Sequence, residues 1–270
     1  YKRQVFEFTV RVTAEENLGL RFALLIALSL LSRSSALMPG LSAAEIAVQA
    51  TGGKGGYGIS ANYQGDAVSD GAGCTGGKGG TGSTGTAYGV SNVGGAAAVT
   101  AAKITAQATG GMGGSGGGVS KSYSSPTAHG IGGDGGDGGD AYAYGVYGSG
   151  SAKTMIAADL IVAEATAGAA GNGASSVDGV GTAGSNGSTG SKAEAYGVYA
   201  ENGAVMNLGG KDTDTITIGA KAQNTVAAEG SKAYAIYADN ARVLFHDNAE
   251  LNSDCLLYTS PSPRDVEESR

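Results

Sequence analysis

Ile46-Ala47-Val48-Gln49-Ala50 returns as Ile104-Thr105-Ala106-Gln107-Ala108, then as Ile161-Val162-Ala163-Glu164-Ala165 and Ile218-Gly219-Ala220-Lys221-Ala222. The copies start 58, 57 and 57 residues apart. A fixed period of this size is the mark of stacked structural repeats. In a strand, successive side chains point to opposite faces. The Ile and Ala columns therefore share one face, and Gln49, Gln107, Glu164 and Lys221 share the other. Each copy is apolar inside and polar outside in the same register.

A second motif recurs between these strands. It reads Ala87-Tyr88-Gly89-Val90, Ala143-Tyr144-Gly145-Val146, Ala195-Tyr196-Gly197-Val198 and Ala233-Tyr234-Ala235-Ile236, with Tyr147, Tyr199 and Tyr237 following three of them. Tyr, Val and Ile suit a pleated, half-buried surface. A weaker apolar stretch follows in each copy, at residues 97–99, 155–156, 205–208 and 243–245. Three strands per copy predict an all-β chain, a right-handed parallel β-helix (β-solenoid) of about four rungs. The tyrosines read first as rung-on-rung stacking, and second as an exposed aromatic column for sugars or a partner.

Between the first and second strands lie glycine-rich runs at residues 52–86, 110–140 and 168–192, which shrink to 224–232 in the fourth copy. Rungs that keep their strands when the run is nearly deleted predict inserts that are long, mobile surface loops. Loop-closure entropy grows slowly with length, so such insertions are tolerated.

Residues 255–270, beginning Cys255-Leu256-Leu257-Tyr258-Thr259-Ser260-Pro261, resemble the reading-frame translation of a transposon-based sequencing adapter. Residues 1–4 resemble the same sequence read from the other strand. Setting both ends aside, the net charge moves from −7 to −8. A mildly acidic chain has no electrostatic footprint for nucleic acid or anionic lipid. Of two cysteines only Cys74 remains, so no intrachain disulfide framework is expected.

Arg21 precedes a ten-residue, mostly apolar run at 22–31. It is too short to span a bilayer, which takes about 20 residues. Ser42-Ala43-Ala44 fits a signal-peptidase site, with Ala36 as an alternative. Residues 5–44 are thus expected to be an upstream segment with a signal helix, and residues 45–254 the repeats. Glu15 and Glu16, and the lack of a Met before Met38, run against this reading.

Chemistry-bearing residues are sparse. Residues 53–58 and 77–82 fit G-x-G-x-x-G formally, but no helical pattern follows either, as a dinucleotide site requires. His129 and His246 are isolated, and no Cys-His cluster suits zinc. The outer column Gln49, Gln107, Glu164, Lys221 offers no paired carboxylates for glycoside chemistry. The remaining candidates are Asp134, Asp137 and Asp140, which fit one calcium-type nonapeptide through residues 135–143. The pattern does not recur in tandem, so a solvated turn competes with it.

Residues 195–203 and 233–241, Ala-Tyr-Gly-Val-Tyr-Ala-Glu-Asn-Gly and Ala-Tyr-Ala-Ile-Tyr-Ala-Asp-Asn-Ala, resemble passenger repeats of bacterial autotransporters. The resemblance covers about residues 45–254 and involves no catalytic signature. It implies an exported passenger at the bacterial cell surface, structural or adhesive. Partners would be a host surface, matrix or carbohydrate, with membrane attachment only through a C-terminal barrel that this sequence does not contain. No cofactor is expected. The alternatives are a calcium-binding Gly-Asp module and a carbohydrate-active enzyme.

Overall fold

A computed structural model describes residues 10–14, 40–63, 75–121, 130–175, 182–224 and 231–257. Among these residues the chain is all-β, with no helix. In chain order the strands are β1 (Val10–Ala14), β2 (Gly40–Thr51), β3 (Ala61–Tyr63), β4 (Gly85–Val93), β5 (Ala96–Thr109), β6 (Val119–Lys121) and β7 (Ala141–Ser149). They continue with β8 (Lys153–Thr166), β9 (Ala193–Glu201), β10 (Val205–Gly209), β11 (Thr215–Asn224), β12 (Ser231–Asp239), β13 (Arg242–Phe245) and β14 (Asn248–Leu257).

Two parallel sheets carry the repeats. The first runs β1-β2-β5-β8-β10-β13, with β11 also on β8 and β14 on β11; the second runs β12-β9-β7-β4. β3 and β6 form a short parallel pair of their own. The four Ile-led segments pair in the register their spacing predicts: Ile46 on Ile104, Ile104 on Ile161, Ile161 on Ile218. β14 extends the column, with Leu251 on Ile218.

A further copy was hidden upstream. β1, Val10-Arg11-Val12-Thr13-Ala14, pairs with β2 so that Val10 meets Ile46 and Ala14 meets Ala50. Its V-x-V-x-A spacing is the signal, but it falls 36 residues before Ile46 and so escapes a 57-residue period. The expected signal helix and the apolar run at 22–31 lie outside the described residues. β2 begins at Gly40, so the candidate cut after Ala44 falls inside a strand in which Ala43 pairs with Ala101. A cut after Ala36 leaves that strand whole.

The expected third strand stands apart in the last two copies, as β10 and β13, and is corrected in the first two. The weak stretch at 97–99 is the front half of β5, and 155–156 the front half of β8, each continuous with the next Ile-led segment. In the last two copies the strand is split, by residues 246–247 between β13 and β14 and by residues 210–214 between β10 and β11. There Asp159 Oδ1 accepts the backbone N–H of Lys211 (2.8 Å), Asp212 (2.9 Å) and Thr213 (3.3 Å). Those bonds, the Asp212 N–H first, hold its carboxyl below the usual range.

The core lies between the two sheets. Ile104, Ile161, Ile218, Val146, Val198, Met206 and Leu208 are fully buried, each stabilising by roughly 1.5–3 kcal/mol. The middle glycine of the Tyr-Gly-Val motif is a packing device. A Cβ on Gly89, Gly145 or Gly197 would run into Cγ2 of Ile104, Ile161 or Ile218 respectively. So the Ile column of one sheet seats in the Gly column of the other. One polar pair is buried with them: Asn92 Nδ2 donates to Thr154 Oγ1 at 3.0 Å.

The expectation of mobile glycine loops is also corrected over the described part of each run; residues 64–74, 122–129 and 176–181 lie outside the described residues. Residues 51–60, 109–118 and 166–175 form one layer of extended segments, and 75–84, 130–140 and 182–191 a second layer running the other way. Gly52, Gly55 and Gly58 donate to the carbonyls of Thr109, Met112 and Ser115, all at 2.8 Å. Between layers, Gly114 donates to Gly80, Gly136 to Gly114 and Gly171 to Gly136, each at 2.8 Å. Bonding repeats every third residue, the periodicity of a three-residue-per-turn polyproline II-type helix. Glycine is obligatory inside because neighbouring backbones fill the side-chain space: a Cβ on Gly136 would overlap the Gly80 carbonyl, and one on Gly113 the Gly136 carbonyl.

Toward its last pair of segments, composition follows position in this bundle. The middle segments, 109–118 and 130–140, are flanked on both sides and carry two glycines in every triplet. In the last pair one of the two gives way to Ala167, Ala170, Ala183, Asn186 and Thr189. Among the described residues no fourth pair follows there. Instead the buried Asn224, at the end of β11, donates to the Gly190 carbonyl at 3.0 Å, and the Ala167 N–H reaches Gln223.

Candidate functional site

Two surfaces carry functional side chains: the outer face of the second sheet and the outer faces of the bundle. The sheet alternates, so Ala87, Ala143 and Ala195 turn inward while Tyr88, Tyr144 and Tyr196 turn outward. In-register pairing then forces the tyrosines into a ladder. Ring centroids are 4.8 Å apart for Tyr88–Tyr144, 5.3 Å for Tyr144–Tyr196 and 5.6 Å for Tyr196–Tyr234, with planes within 10° of parallel. A second column, Tyr147, Tyr199 and Tyr237, stacks at 5.5 and 4.9 Å and meets the first edge-on. Stacked rings cover one another's faces. That favours the stacking reading of the sequence over an open sugar platform.

Two carboxylates serve the ladder. Glu201 Oε1 accepts from Tyr147 Oη at 2.7 Å, and its Oε2 accepts from Tyr199 Oη at 3.3 Å. Glu194 Oε2 accepts from Tyr196 Oη at 2.8 Å, while its other oxygen lies 3.4 Å from Lys232 Nζ. These contacts keep the phenols protonated. Burial first, then Glu201, pushes the Tyr199 hydroxyl up to about 12. Burial first, then Glu194, raises Tyr196, and burial raises Tyr144. For Tyr147 the hydrogen bond to Glu201 is the leading cause. No sequence signal marked Glu194 and Glu201; their roles depend on register between copies.

On the bundle, every third side chain faces out. In the returning layer these are Thr75, Lys78, Thr81 and Thr84, then Ile131, Asp134, Asp137 and Asp140, then Thr182, Ser185, Ser188 and Ser191. The three candidate calcium ligands therefore lie along one segment. At about 3.1 Å rise per residue they stand roughly 9 Å apart, too far to share one ion whose oxygens sit at about 2.3–2.6 Å. Each instead grips the next segment. Asp134 Oδ1 accepts Ser185 N and Oγ at 2.8 Å, Asp137 Oδ1 accepts Ser188 N at 2.7 Å, and Asp140 Oδ1 accepts Lys192 N at 2.9 Å and Ser191 Oγ at 3.1 Å. The Ser185 bonds hold the Asp134 carboxyl below its ordinary value.

Among the described residues no three His, Cys, Asp or Glu side chains gather as a metal site. His129 and Cys74 lie outside the described residues, and His246 is an exposed residue beyond β13. The two G-x-G-x-x-G matches, 53–58 and 77–82, are bundle segments in which Gly55, Gly58, Gly77, Gly79, Gly80 and Gly82 face other backbones. The polar outer column behaves as its sequence suggests, with Gln107 Nε2 donating to Glu164 Oε2 at 2.7 Å. No protein-family model, curated protein or solved structure matches the chain.

Proposed function

We propose that this chain is a structural or adhesive passenger of an autotransporter-like protein, exported to the bacterial surface and without catalysis. On this reading the stacked copies are the turns of a right-handed parallel β-helix, and the two sheets are its faces. The observation that carries this reading is the in-register stacking of copies 57 or 58 residues apart, Ile46 on Ile104 on Ile161 on Ile218. It supports an elongated, repetitive scaffold of nearest-neighbour contacts. The flat outer faces of the bundle, rich in Ser, Thr and Asp, suit contact with a hydrated host glycan or matrix surface. Surface adhesion is tested by coating particles with the purified chain and measuring their retention on immobilised glycans and extracellular matrix. Retention that falls when Thr182, Ser185, Ser188 and Ser191 are changed to lysine supports the adhesive reading. Retention equal to that of bare particles leaves the structural role and rejects adhesion.

A further inference from the structure

We propose that the tyrosine ladder conducts one-electron oxidation and that Tyr147 and Tyr199, joined through Glu201, are its trap. The chemical class of reactant is a small one-electron oxidant, such as nitrogen dioxide or the carbonate radical.

Oxidation of a phenol is governed by its proton. A phenol that loses an electron becomes so acidic that it must lose its proton too, and the loss is easiest where a base already holds the hydroxyl. Tyr147 Oη lies 2.7 Å from Glu201 Oε1, and Tyr199 Oη lies 3.3 Å from Oε2 of the same carboxylate. Glu194 is the competing base, under Tyr196 at 2.8 Å. It faces Lys232 at 3.4 Å, so that carboxylate already has a cation as a second partner. Among the described residues Glu201 has no cation at ion-pair distance. Tyr196 is also only 6 % exposed, so an oxidant reaches it poorly.

The rings supply the path. Tyr144 contacts Tyr147 at 5.6 Å and Tyr199 at 5.5 Å, and Tyr196 contacts Tyr199 at 4.9 Å. A vacancy created on Tyr88, Tyr144, Tyr196 or Tyr237 is thus one contact from a Glu201-bonded hydroxyl, and one on Tyr234 is two contacts away. In the step itself the oxidant gains one electron from the phenol. The tyrosine O–H bond breaks, its proton forms an O–H bond on Glu201, and a neutral phenoxyl radical remains. With nitrogen dioxide, the first molecule leaves as nitrite. A second forms a C–N bond at the ring carbon beside the oxygen, that carbon's hydrogen departs as a proton, and 3-nitrotyrosine results.

The test is nitration of the full chain by radiolytically generated nitrogen dioxide, with sites mapped by peptide mass spectrometry. Tyr57 is the exposure control, since it is 72 % exposed and outside the ladder. Nitration of Tyr147 and Tyr199 is expected to exceed that of Tyr57, and Glu201→Gln to lower it roughly tenfold, the size of effect a charge-assisted hydrogen bond has on a rate. Glu201→Asp, which retracts the carboxylate by one methylene, gives the same readout if the Gln variant does not fold. Nitration led by Tyr57, or a pattern unchanged by both substitutions, overturns the proposal.

Discussion

The space between the two sheets and the space inside the glycine bundle are both filled to contact, by opposite means. Between the sheets, side chains do the filling, with Ile161 wholly buried in the Gly145 recess of the facing sheet. In the bundle the filling is backbone, and Gly136 stands where the Gly80 carbonyl leaves no room for a methyl group. The energetics differ accordingly. Each buried Ile contributes about 1.5–3 kcal/mol, whereas a backbone hydrogen bond nets only about 0.5–1.5 kcal/mol against roughly 1–2 kcal/mol for ordering each residue. The sheets carry the stability, and the bundle is ordered because its segments are anchored at β2, β4, β5, β7, β8 and β9. One repeat length is thus stacked by two chemistries.

The largest expected effect lies in the side-chain region. Ile161→Asp places a carboxylate in the column between Ile104 and Ile218, and burying it unpaired costs several kcal/mol, on the order of a whole domain's stability. Glu164→Asp, on the polar face, is expected to cost far less. Paired chemical unfolding of the two variants checks this, and similar midpoints would show that inside and outside have been exchanged.

The bundle offers a sharper pair. Gly136→Ala forces a methyl group into the Gly80 carbonyl and is expected to cost about 1–3 kcal/mol, as overpacked sites do. At Gly56 nothing described lies within 4 Å of a Cβ, so Gly56→Ala is expected to be neutral or to stabilise by about 0.4–1 kcal/mol through the unfolded chain. Thermal unfolding of both variants separates the two accounts of the glycines. Equal small effects would mean that the runs are glycine-rich for flexibility.

Thr154→Val tests the polar contact within the apolar core. It keeps the shape but leaves Asn92 Nδ2 with only the Gly95 carbonyl at 3.4 Å, for an expected loss of about 1–3 kcal/mol. An unchanged unfolding midpoint would show the Asn92–Thr154 bond to be incidental.

The smallest effect is alkaline. In the unfolded chain Tyr199 ionises near its ordinary value of 10, but in the fold it keeps its proton up to about 12. Between these values the unfolded state binds fewer protons, so stability present below pH 10 is lost as pH rises toward 12. Phenolate absorbance should therefore show a late-titrating set of tyrosines, with unfolding beginning in that window. Titration of all tyrosines near 10 without unfolding would remove the ladder from the account.

How much of this could be read in advance follows from the same contrast. Side-chain columns repeat at period two within a strand and at 57 residues between copies, so Ile46, Ile104, Ile161 and Ile218 were legible with their pairing. The join between the weak stretch and the next Ile-led segment was not, because continuity of β5 through Ala102 leaves no mark in polarity. β1 was missed because it stands at a shorter spacing. The bundle did leave a signal: Asp134, Asp137 and Asp140, or Ser185, Ser188 and Ser191, recur every third residue amid glycine. Read as a ligand pattern or as low complexity, that period hid its meaning, which is a three-residue helical turn. Glu201 was beyond reach, since its partners Tyr147 and Tyr199 converge only through the register of β7 on β9.

Amide hydrogen exchange across residues 104–117 tests the central claim most directly, because it sets one sheet strand beside one bundle segment in a single stretch of chain. The account predicts protection at Ile104, Ala106 and Ala108 and also at Gly110, Gly111, Gly113, Gly114, Gly116 and Gly117, whose N–H groups are all bonded to other segments. Glycine amides exchanging at the rate of an unfolded chain, beside a protected Ile104, would contradict it and return the glycine runs to the status of loops.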